Sequence, residues 1–355
     1  MRTRFRLLLC GLALVAMLTV FGTWILFRPR SVPLVMFSVS RYSETIDPNR
    51  LVAEDRDRLR DSFAGDSNLQ MVDVTVDSQP DWRVSLDEVL NRLRPGGPGQ
   101  GKLFPENNVV LLYVNAHGVV NQQGQPCLLM SDSHPLNDST WLPLRALMKR
   151  VERQETLAAA HKVLILESGK IRQNWSLGIL DNLFCDALQE DFARQPPSGW
   201  HVINATRSGQ QAQVSQELGG SVFSYFVAQG LRGAADLDDN RRVSLLELDQ
   251  YLEQQVYAWT TRYCGAAQKP CLISSQAIEV DLTYVSTYAS PVVEPREVSD
   301  SRVETVNRIW SQFSRIDYQR TLRRVPKVVA QVQRRLGRLE DLLVSGGAYE
   351  NEFDA

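Results

Sequence analysis

A surplus of charge of one sign is what this 355-residue chain most plainly lacks: 39 lysines and arginines stand against 41 aspartates and glutamates, a net charge of −2. That balance gives no global attraction to nucleic acid, so no nucleic-acid partner is expected and any basic surface is local. The composition of a disordered chain is missing too. At 43% hydrophobic and 23% charged residues, the sequence reads as globular, and its length allows one large or two ordinary domains. Cysteine is sparse, with five in all. Cys10 falls in an apolar run, and Cys127 and Cys185 read as isolated buried residues. Cys264 and Cys271, in "YCGAAQKPC", bracket a loop of six residues that fits no common zinc spacing. They read either as a disulfide, if the domain is exported, or as two free thiols.

One long apolar run is present. After "MRTRFR" come 21 uncharged residues, 7–27, ending in Trp24, Ile25, Leu26 and Phe27 before Arg28. At 1.5 Å per residue a helix of this length spans a hydrocarbon core of ~30 Å. A cleaved leader has a shorter apolar stretch, typically ~7–15 residues, and a small-residue exit. The run therefore reads as an uncleaved single-pass anchor. Arg2, Arg4, Arg6 and the terminal amine outweigh Arg28 and Arg30, which keeps the N-terminus inside and puts the soluble domain on the exported side.

From residue 31 strands and helices alternate. "LVMFSVS", "LQMVDVTV", "VVLLYVNAHG", "KVLILE" and "HVINAT" read as strands. Helices are expected over 48–65, 85–95, 142–154, 178–193, 219–233 and 244–259, with a loop at 95–108. This order predicts a mainly parallel sheet covered on both faces by helices, over residues 31–285. Residues 1–30 form the anchor and 286–301 a linker. Residues 302–355 form a basic helical extension with an acidic tail. Within it Val325, Val329, Val332, Leu336, Leu339 and Leu343 repeat at coiled-coil spacing, so self-association through 325–343 is expected.

The residues able to carry chemistry cluster at strand ends, where ligand-binding groups sit in α/β sheets. His117 and Gly118 follow the strand at 109–115, and a histidine there suits acid–base work, although a lone histidine also serves packing. The strand at 162–167 runs into Glu167, Ser168, Gly169 and Lys170: a carboxylate, a hydroxyl and an ammonium, but no thiol. "DLDDNRRVSLLE" sets Asp236, Asp238, Asn240 and Glu247 at positions 1, 3, 5 and 12 of a calcium-loop register. Arg241 stands where that loop has glycine, and the other reading is a solvated helix entry capped by Ser244.

In their order these segments resemble the caspase-like cysteine peptidases, in the bacterial and metacaspase-like branch. "YVNAHG" approximates that family's Tyr-Tyr-Ser-Gly-His-Gly type motif, and "LESGKI" falls where its Asp-Ala-Cys-His-Ser-Gly type motif belongs. "VMFSVSRYSETIDPNRLVAEDRDRLRDSF", "CLLMSDSHPLNDSTWLPLRALMKRV" and "GGSVFSYFVAQGLRGAADLDDNRRVSLLELDQYL" are similar to its opening, its third segment and its later helix with acidic loop. The resemblance implies a caspase-like fold with His117 at the base position and Gly169 at the cysteine position. Asp132, Glu167, Ser168 and Lys170 would line the cleft. Glycine carries no nucleophile, so the expectation is an inactive pseudo-peptidase that binds or scaffolds a protein partner. The alternatives are a hydrolase in which His117 activates Ser168, and a calcium-responsive regulator.

Overall fold

The computed structural model describes residues 32–42, 51–63, 69–75, 109–154, 160–171, 183–215, 217–274 and 280–285. It also describes single residues at 46, 48, 49, 87, 157, 328, 332 and 335. The expected span at 7–27, helix 85–95, loop 95–108, linker 286–301 and coiled-coil seam lie outside the described residues, apart from isolated positions. Among those described, no helix is long and apolar enough to cross a membrane.

A six-stranded sheet forms the centre. β1 (Val32–Ser38), β2 (Leu69–Thr75), β3 (Val109–Asn115), β7 (His161–Glu167) and β8 (Trp200–Asn204) run parallel, and β12 (Cys271–Ser274) closes one edge antiparallel. Their order across the sheet is β12-β8-β7-β3-β1-β2. β3 and β7 are near-continuous aliphatic runs because both of their faces are covered, as expected of central parallel strands. Alternate side chains feed two apolar layers. On one face Leu111, Tyr113 and Ile165 pack with Leu59 of α1 (Val52–Phe63), Phe226 of α4 (Val222–Gln229) and Leu252 of α5 (Leu245–Trp259). On the other, Leu112, Leu164 and Leu166 meet Val151 of α2 (Leu144–Glu152) and Leu188 of α3 (Phe184–Arg194).

Small antiparallel pieces decorate this frame. β4 (Gly118–Val120), β5 (Pro126–Leu128) and β6 (Leu142–Pro143) make a three-stranded sheet directly after His117. β9 (Val214–Ser215) pairs with β10 (Gly220–Ser221), and β11 (Arg242–Ser244) with β13 (Asp281–Tyr284). Strands of two to four residues are too short to show a period. The expected parallel sheet with helices on both faces is present.

The sheet order decides where a site can form. From β1 the chain passes to β2 on one side and then to β3 on the other. The connections therefore diverge between β1 and β3, opening a crevice at the carboxyl ends of these strands.

Candidate functional site

That crevice holds a buried polar network. Ser38, Asn115 and Glu167, the last residues of β1, β3 and β7, are neighbours in register. The Glu167 side chain is fully buried. It accepts a short hydrogen bond from the Tyr113 hydroxyl and another, at 3.3 Å, from Asn115 Nδ2. Asp55 of α1, also fully buried, accepts from Asn115 Nδ2 at 3.3 Å and from the Ser221 backbone amide at 2.9 Å. Two cations answer the two carboxylates. Lys170 Nζ lies 3.3 Å from Glu167 Oε1 and 3.9 Å from Asp55 Oδ2, and it donates to Asn49 Oδ1 at 2.8 Å. Arg58 Nη1 lies 3.3 Å from Asp55 Oδ1, while its Nη2 donates to the carbonyls of Leu218 and Gly219 at 2.5 and 2.7 Å. Asn49 Nδ2 closes the ring by donating to Asn115 Oδ1 at 2.7 Å.

Burial governs the protonation of this network. Loss of solvent, then the neighbouring Glu167 charge, pushes Asp55 up to about 7 despite Lys170 and Arg58. Burial, followed by the charge of Glu167, also lifts the Tyr113 phenol well above its ordinary range. Glu167 and Lys170, expected to line a cleft, are ion-pair partners in this network.

His117 lies two residues beyond β3, only 3% exposed and stacked on Tyr42, with ring centroids 4.6 Å apart and planes 19° from parallel. Its backbone N–H donates to the Tyr42 hydroxyl oxygen at 2.9 Å. The next amide, of Gly118, donates to the Ser168 carbonyl at 3.0 Å and so ties the two strand-end turns together. Gly118 has no room for a side chain, because a Cβ there would sit 2.9 Å from both the Phe184 ring and Ser168 Cβ.

The turn after β7 is closed as tightly. A Cβ on Gly169 would lie 2.6 Å from Thr206 Oγ1 and 2.8 Å from Thr206 Cγ2. Thr206, just past β8, therefore occupies the space that any side chain at this position would need. Ser168 is fully buried, and its hydroxyl donates to Asn204 Oδ1 at 3.2 Å. That direction leads into the neighbouring strand β8. Asp132 stands exposed in the turn after β5, and among the described residues no hydrogen bond or ion pair connects it to the network.

The acidic loop is compact. One ligand atom each from Asp236, Asp238 and Glu247 lie within 4.8 Å of one another. Backbone amides already meet them: Asp236 accepts from Asn240 and Arg241, Asp238 from Asn240, and Glu247 from Leu237 and Ser244. Asn240 turns its Oδ1 to the amide of Arg242 and its Nδ2 to Asp238. Ser244 Oγ in turn accepts from the Glu247 amide, which completes a capping box at the start of α5. Arg241 adopts φ 66°, the left-handed conformation in which glycine suffers no Cβ penalty.

Of the two readings of Cys264 and Cys271 the free-thiol one holds, and all four described cysteines are buried. Cys264 and Cys271 are separate free thiols: the first contacts the Val214 carbonyl and the second the Thr206 carbonyl. Cys185 is not isolated, because its Sγ–H meets the same Thr206 carbonyl as that of Cys271. Asp55, Asn49, Tyr42 and Thr206 are the site residues that the sequence did not single out. In "AEDRDRLRD" Asp55 is one acid among several on a polar helix, and nothing local marks it as the buried one.

No protein-family model matches the chain, and no curated protein matches it. Among solved structures it is similar to caspase-1 from Spodoptera frugiperda, with 12% identity and a TM-score of 0.47 over 73% of this chain and 92% of that one. It is also similar to a structure described as pro-sf-caspase-1, with 13% identity and a TM-score of 0.46 over 72% and 94% of the two chains.

Proposed function

We propose that this chain is a membrane-anchored domain of caspase-like fold that has no peptidase activity and works as a binding or scaffolding module. One observation carries the reading. At Gly169, where the family resemblance sets the nucleophile, Thr206 fills the volume that a side chain would occupy. Covalent peptide hydrolysis needs a thiolate or hydroxylate within reach of both its base and the scissile carbonyl. Here the candidate base is stacked against Tyr42, and the adjacent hydroxyl, on Ser168, is committed to Asn204. The acidic and basic groups beside them neutralise one another inside the protein, which suits a structural core beneath a binding surface better than acid–base turnover.

The further parts of the proposal rest on sequence. Residues 7–27 anchor the chain with its domain on the exported side, and the heptad seam at 325–343 pairs with a second copy or a protein partner. For the acidic loop we favour a helix entry over a calcium site. Its carboxylates already hold backbone amides, and Arg241 and Arg242 bring positive charge to the same turn.

Peptide hydrolysis by the full-length protein tests the reading, with a broad fluorogenic library, with and without calcium, beside His117→Ala. Neither protein should cleave. Cleavage by the wild type that disappears in His117→Ala sinks the proposal.

A further inference from the structure

Four cysteines fall among the described residues, and they divide into two kinds. Cys127 and Cys264 belong to apolar clusters, as small hydrophobic residues do. Cys185 and Cys271 belong to none of these clusters. They meet because of sheet topology. Cys271 opens β12 and pairs in register with Asn204 of β8, and two residues further on is Thr206. Cys185 lies in the first turn of α3, which packs across the same sheet edge. The Thr206 carbonyl receives both Sγ–H groups, from Cys185 at 3.2 Å and from Cys271 at 3.7 Å. Meeting on one acceptor oxygen, the two sulfurs are neighbours.

We propose that Cys185 and Cys271 form a redox-active dithiol, which closes to a disulfide stapling α3 to the β12 edge by exchange with a small-molecule disulfide. The inference stands on this geometry alone and is independent of the scaffolding reading. The sequence alone left Cys264 and Cys271 as either a disulfide or two free thiols and did not bring Cys185 to either.

The two sulfurs are not equivalent. When Cys271 ionises, the Cys185 Sγ–H can turn from the Thr206 carbonyl to the Cys271 sulfur, and this, with Arg207 nearby, draws Cys271 below the ordinary thiol range. The same interaction, followed by burial, pushes Cys185 up. Cys271 is therefore the attacking group. Its thiolate displaces one thiolate from the donor disulfide and leaves a mixed disulfide on Cys271. Cys185 then gives up its proton and attacks the Cys271 sulfur, releasing the second donor thiol. Two Sγ–H bonds and the donor's S–S bond are exchanged for one Sγ–Sγ bond and two small thiols. Both sulfurs are nearly enclosed, with their residues 6% and 8% exposed, so exchange requires a local opening at the sheet edge. Closure removes both Sγ–H donors from Thr206, the residue that fills the space over Gly169, so the state of the pair reaches that turn.

The test equilibrates the purified full-length chain in graded ratios of reduced to oxidised glutathione, quenches with acid and alkylates in denaturant. Digestion without reduction and mass mapping follow. A linked peptide pair joining Cys185 to Cys271, lighter by two hydrogens, is the expected product, with Cys127 and Cys264 still alkylated. Oxidation should also raise the melting temperature, by on the order of 5 °C, for a cross-link closing a long loop. Cys185→Ser and Cys271→Ser should each abolish that shift. If either variant fails to fold, the wild-type map decides by itself. Free thiols at both positions in the most oxidising buffer, glutathione adducts without the link, or a Cys264–Cys271 bridge would each overturn the proposal.

Discussion

Thr206 and Gly169 show how one close contact can decide what a site does. Gly169 lies outside the positive-φ positions, so its backbone tolerates an L residue and the obstacle to a side chain is steric. Gly169→Ala forces a Cβ against Oγ1 and Cγ2 of Thr206, an overpacking that costs about 1–3 kcal/mol. Thr206→Ala removes both of those atoms. Chemical denaturation of the two single variants and the double should therefore show the double recovering most of the Gly169→Ala loss. Additive losses would mean that Thr206 is not what excludes the side chain. The glycine itself was legible, since "LESGKI" lacks a thiol wherever the family motif is laid. Its cause was not, because Thr206 reaches Gly169 only through the pairing of β7 with β8. Asp55 was hidden for the opposite reason: its helix looks solvated in sequence, and burial is imposed by Asn115 and Ser221 from other parts of the fold.

At the scale of elements, long strands and capped helices could be read and short ones could not. β3 and β7 announce themselves as apolar runs, and Ser244 was recognised as the N-cap of α5. Helix α3 begins at Phe184, later than the expected 178, with Leu183 in the flanking position. β12 escaped because "CLIS" follows a loop and carries no period, and with it went the meeting of Cys271 with Cys185. The cap supplies a test at this scale. Ser244→Ala leaves the Glu247 amide without its acceptor and should lower stability by about 1 kcal/mol in urea unfolding. With the loop acting as a helix entry, millimolar calcium should leave the melting temperature of wild type and variant unchanged. A calcium-dependent rise in wild type, absent from Glu247→Gln, would reassign the loop as a metal site.

For the whole molecule the buried acid at the β1/β3 crevice makes stability depend on pH. Asp55 is held at about 7 in the folded protein against 3.8 for the free side chain. Between these values the native state binds more protons than the unfolded one, so this group's contribution to stability falls as pH rises from about 4 to 7 and is level above. His201 works in the opposite sense. Burial, then His161 and Lys162, depress it, so its contribution falls as pH drops below its ordinary 6.5. Asp55→Asn isolates the first slope. Relative to wild type, the variant should gain stability steadily from pH 4 to 7 and then run parallel, as read from unfolding free energies at each pH. Parallel curves throughout would mean that Asp55 titrates normally. The order of the strands bears on the birth of the protein as well. β1 leaves the ribosome first yet lies inside the finished sheet, and β3, one of its two partners, is not complete until residue 115 has been made. Until β2 follows, the nascent chain carries an apolar ribbon with both edges open, and until β3 follows one edge stays open, a template for misplaced pairing. Synthesis of this protein therefore passes through a stage at which its first strand has to be kept from a wrong partner.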